Sequence, residues 1–148
     1  MRLPLLLCLS VIGGCAGFFA LQVVASQAPS SFIALTVDRL GVLYGTLLFT
    51  TGLLAMLVAS NEFLSNTIDN KGSRALGIVG LPVLVGMAGV FHGYLGLAIY
   101  FSSLPPQIAI PHATVWTTAM VGAFFTMASA TILLIGRRMH QAPINLTR

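Results

Sequence analysis

The chain has 148 residues, 57% of them hydrophobic and only 7% charged, with a formal net charge of +4. Soluble domains carry roughly 25% charged residues, so this composition excludes an ordinary water-facing surface. The positive charge is spread over loops and ends rather than gathered into a patch, which argues against nucleic acid and for anionic lipid headgroups as partners.

A membrane-spanning helix needs about 20 mainly apolar residues to cross a hydrocarbon core about 30 Å thick. Four stretches qualify, about 3–25, 40–59, 75–101 and 113–135, and all seven basic and all three acidic residues lie outside them. The expected fold is all-α, a single domain over 1–148 with four transmembrane helices in an up-down bundle.

Met1-Arg2 and the apolar run behind it begin as a secretory signal does. The run is about 23 residues long, and Ser26-Gln27-Ala28 would place Pro29 directly after a cut. Ile12-Gly13-Gly14-Cys15 resembles a bacterial lipoprotein processing site. The expectation is nevertheless a retained first helix. Cys8 and Cys15 share one face of it and read as small packing residues rather than ligands.

Residues 26–39 read as a loop, with an apolar patch at Phe32-Ile33-Ala34-Leu35 and charges at Asp38 and Arg39. Asp38 suits the positive end of the second helix, and Arg39 suits a headgroup phosphate. Within that helix, Gly41 and Gly45 fit a small-xxx-small packing pattern. The following loop, 60–74, is polar, with Asn61, Glu62, Asn66, Asp69 and Asn70, and Phe63, Leu64 and Ile68 suggest a short interfacial turn.

The third span carries Gly86, Gly89, Gly93 and Gly96 on one face, at spacings of three, four and three. Small residues let membrane helices approach closely, and either this bundle or a second protein can use them. Pro82 is expected to kink this helix. His92 is the one ionisable side chain expected inside the hydrocarbon. Imidazole can shed its charge near neutral pH, so a packed, hydrogen-bonded histidine is the plain reading. The functional one is contact with a haem, chlorin or quinone.

The loop 102–111 has no charge and is stiffened by Pro105, Pro106 and Pro111. His112 opens the fourth span near the interface, a depth poorly matched to His92 for a self-contained bis-histidine haem. Any such group would be shared with another subunit. Trp116 belongs at the interface, where amphipathic rings are favoured. The hydroxyls of Thr46, Thr50, Thr51, Thr114, Thr117, Thr118, Thr126, Ser129 and Thr131 are expected to satisfy themselves on carbonyls one turn back. Residues 137–148 read as a surface tail, and Asn145-Leu146-Thr147 as a chance sequon.

Arg2, Lys71, Arg74, Arg137, Arg138 and Arg148 fall on one side of the membrane and Arg39 on the other, a split of six to one. Basic residues stay inside, so both termini are expected on the cytoplasmic face of a bacterial inner membrane, or the matrix-like face of an organellar equivalent. No converging acids, nucleophile pair or metal-ligand set marks an enzyme. The function expected is a small accessory subunit of a larger membrane complex, respiratory or photosynthetic in kind, touching other integral subunits and lipids. The alternatives are a redox- or pigment-linked subunit using His92, and a small transporter or channel component.

Overall fold

A computed structural model describes residues 3–64, 72–101 and 112–141. Four helices make up the described chain: α1 (Leu3–Gln27), α2 (Phe32–Leu64), α3 (Gly72–Phe101) and α4 (His112–Gln141). All four are long and apolar enough to cross a membrane. The chain is an integral membrane protein.

Successive helices run antiparallel. Gly14 of α1 lies against Thr50 of α2, Tyr44 of α2 reaches His92 of α3, and Gly86 of α3 lies against Thr118 of α4. The bundle is not a square. α2 packs against each of the other three, α3 also packs against α4, and α1 runs along α2 alone among the described residues. Among the described residues, two apolar clusters fill the interior. One, near the ends that bear the termini, gathers Leu6, Leu54, Val58, Ala75, Val79 and Leu133. The other, toward the α1–α2 turn, gathers Phe18, Ala25, Val37, Leu40 and Leu48.

Glycines on α2 make this packing possible by receiving rings from either side. The Phe18 ring from α1 sits over Gly45, and the Phe125 ring from α4 sits over Gly52. Phe49 lies between them in sequence and touches both rings, with centroids at 5.7 Å from Phe18 and 5.4 Å from Phe125. A row of aromatic contacts thus ties three helices together through a glycine-notched one.

Three boundaries differ from the sequence expectation. Residues 32–39 are helix, not loop. The Ser31 hydroxyl accepts from the Ala34 amide at 3.1 Å, capping α2 at its first turn. Only residues 28–31 remain as a turn. At its other end α2 runs through Asn61, Glu62 and Phe63 to Leu64, and Phe63 packs at Gly136 of α4 instead of lying in an interfacial turn. Ile68 lies outside the described residues. Arg137 and Arg138 belong to α4, which continues to Gln141. Their cations suit the negative end of a helix, and exposed stems of this kind reach the headgroup layer. The sequon lies outside the described residues.

α2 is also interrupted. Gly41 has φ 63° and ψ 171°, a backbone conformation open in practice to glycine alone. It divides α2 into a short segment, 32–40, and a long one, 42–64. The long segment spans about 34 Å at the usual rise per residue. α3 by contrast is one continuous helix through Pro82. The Pro82 carbonyl faces Gly122 of α4, so the proline is buried where two backbones approach.

Candidate site: a cleft between three helices

His92 sits nine residues from the Phe101 end of α3, about 13 Å into the span at the usual helical rise. Its Nδ1 lies 3.0 Å from the Tyr44 hydroxyl of α2, with the rings 5.7 Å apart. Together they line a cleft of about 290 Å³ between α2, α3 and α4, whose walls include Arg39, Gly89, Gly93 and Thr118. His92 is exposed, so the imidazole is not sealed into a helix contact.

The glycines set the cleft's back wall by drawing α3 and α4 together. A Cβ on Gly86 would meet the Thr118 carbonyl at 2.7 Å, and one on Gly89 would meet the Thr118 hydroxyl at 2.8 Å. On Gly93 it would touch Val115 at 3.0 Å. The Thr118 hydroxyl donates across the contact to the Gly86 carbonyl at 3.1 Å. Gly86, Gly89 and Gly93 are therefore spent on α4 within this chain. Gly96, on the same face, has no described atom within 4 Å of a Cβ, and neither do Gly77 and Gly80.

Gly41 and Gly45, paired by spacing in the sequence, do different things. Gly45 receives Phe18, whereas Gly41 meets no described atom and serves as the break in α2. Arg39 and Tyr44 stand on either side of that break. On an unbroken helix, residues five apart point about 140° away from each other. Arg39 and Tyr44 are five apart and line the same cleft. Asp38, next in the chain, lines a separate open hollow of about 500 Å³ with Gln22 and Gly41, on the α1 side. Neighbouring opposite charges thus serve two different hollows.

Trp116 is exposed near the start of α4, and its indole N–H donates to the Tyr94 hydroxyl at 3.1 Å. The side chains of His112 and His140 lie outside the described residues, as does that of Thr114. Several hydroxyls satisfy themselves as expected: Thr46 on Val42, Thr51 on Leu47, Ser129 on Phe125 and Thr131 on Met127. Thr118 adds the cross-helix bond, and the buried Thr126 hydroxyl has no partner among the described residues.

The sequence reading singled out His92 and missed Tyr44. Starting the second helix at residue 40 placed Tyr44 one turn from the surface. The hydrogen bond between the two side chains instead sets Tyr44 at the depth of His92. Ser31, a capping residue just after Pro29, was the available signal.

No family model, curated protein or solved structure matches the chain.

Proposed function

We propose that this chain is a small accessory subunit of a larger membrane complex, respiratory or photosynthetic in kind, that holds the polar head of a lipid-soluble molecule in the cleft. The Tyr44–His92 pair in the cleft wall carries the reading. The hydrogen bond uses one ring nitrogen of His92, and an unmet polar group in hydrocarbon costs several kcal/mol, on the order set by lost hydration. An exposed imidazole within the span therefore calls for a further partner, and Arg39, whose side chain only donates, lines the same cleft. The proposed role is binding and positioning, not turnover. The distribution of basic residues supports both termini on the cytoplasmic or matrix-like side.

Gentle extraction followed by separation of intact complexes tests this. The expected result is migration with much larger partners, together with a lipid-soluble molecule in the extracted band that is depleted by His92→Leu. Migration as a small oligomer with nothing bound would refute it. The break at Gly41 favours a second reading, a small transporter component, because transporters build sites from discontinuous helices. Substrate uptake by the isolated chain in vesicles would select that reading.

A further inference from the structure

Resting on the ligand-holding reading above, we infer that the cleft takes the head of a 1,4-quinone, a single ring with an oxygen on each of two opposite edges, and that Arg39 is its specificity-determining residue.

Size argues first. Sites that enclose drug-sized molecules run upward from about 300 Å³, and this cleft holds about 290 Å³. One ring fits that space and a macrocycle such as haem or chlorin does not. The cleft opens among spanning helices, which lets an apolar tail remain in lipid while the ring enters.

Hydrogen-bonding chemistry argues second. If the Tyr44 hydroxyl donates to His92 Nδ1, the imidazole keeps its Nε2–H as a donor and the phenol oxygen keeps a lone pair. If Nδ1–H donates to Tyr44 instead, the phenol O–H becomes the donor and Nε2 the acceptor. In either arrangement the pair offers one donor and one acceptor. A carbonyl needs the first and a ring hydroxyl needs the second, so the same pair accommodates a quinone and its quinol with no heavy atom displaced.

Position argues third. Arg39 lies five residues nearer the α1–α2 turn than Tyr44, and the two line this cleft from either side of the break at Gly41. A guanidinium donates only. It therefore selects a second acceptor oxygen, separated along the span from the one at the Tyr44–His92 pair. Gly89 and Gly93, lacking side chains, line the wall between.

The test uses the full chain in bilayer discs of neutral phosphatidylcholine, titrated with a decyl-tailed 1,4-benzoquinone. Trp116, the only tryptophan, adjoins Val115 of the cleft wall and reports binding by fluorescence quenching. Saturable quenching is expected in the parent chain. It should weaken by about tenfold or more in Arg39→Gln and in His92→Leu, the loss for a strong hydrogen bond. Circular dichroism checks that both variants keep their helices, and Arg39→Lys, which keeps the charge and loses the fork, should recover part of the affinity. A parallel arm replaces the quinone with phosphatidylglycerol. Saturation by the anionic lipid with no quinone binding would overturn the quinone assignment and leave the ligand-holding reading standing. Quinone quenching unaffected by both substitutions would overturn the site. No saturable binding of either probe would overturn both.

Discussion

The Tyr44 hydroxyl and His92 Nδ1 are 3.0 Å apart, and this bond joins α2 to α3. Removing the hydroxyl with Tyr44→Phe takes away one cross-helix hydrogen bond and leaves the rings in place. Such bonds are worth about 0.6–2 kcal/mol in membranes. We expect a stability loss of that size, read by reversible unfolding in mixed micelles, with helix content unchanged. An unchanged midpoint would mean that the bond contributes nothing to the α2–α3 contact.

Two glycines of α3 should respond oppositely to the same change. A Cβ at Gly86 would run into the Thr118 backbone, whereas a Cβ at Gly80 meets no described atom within 4 Å. Gly86→Ala should therefore destabilise by about 1–3 kcal/mol through overpacking. Gly80→Ala should be neutral or stabilise by up to about 1 kcal/mol through helix propensity. Equal effects in the two variants would contradict the assignment of Gly86 to the α4 contact.

At Gly41 the backbone itself is the constraint. Alanine in this conformation costs about 1–3 kcal/mol, so Gly41→Ala should either lose that much stability or straighten α2. Straightening would turn Arg39 away from Tyr44. A spin label at each of positions 39 and 44 measures it, through an inter-label distance that shifts between parent and variant. Identical distances, with no loss of stability, would show that the break is not glycine-dependent.

Orientation has its own test. A tag on the carboxyl end should resist an impermeant reagent applied to intact cells and react after the membrane is opened. Labelling from outside would reverse the proposed topology.

Bulky residues in the glycine face also separate internal from external use. Gly89→Leu and Gly93→Leu push against Thr118 and Val115 of the same chain. Both should lower the thermal stability of the isolated protein in detergent, by about 1–3 kcal/mol. Full stability of the isolated chain, combined with lost co-purification of partners, would assign this face to another subunit instead.

The spans were legible because composition alone separates hydrocarbon from water, and the apolar runs 3–25, 40–59, 75–101 and 113–135 contain no charged residue. The segment 32–40 was not, because Asp38 and Arg39 looked like loop charges, while the cap at Ser31 is a one-atom signal beside them. Periodicity placed Gly86, Gly89, Gly93 and Gly96 on one face but carried no information about what covers it. The first three meet α4, and Gly96 meets no described atom. Of the cleft, His92 was visible as a lone imidazole in an apolar run, while Gly89, Gly93, Thr118 and Arg39 were read as packing, self-satisfied or headgroup-facing residues. Tyr44 and Arg39 join it through a helix register and a glycine torsion, and neither is written in local sequence.

Among the described residues the α1 backbone runs close to α2 alone, and α1 contributes no wall to the cleft. During synthesis, then, the first hairpin has all its internal contacts as soon as two helices have entered the bilayer. The cleft draws on residues as late as Thr118, so it is finished only with the last helix. On the proposed reading, a molecule that occupies it enters the completed bundle and not a nascent chain.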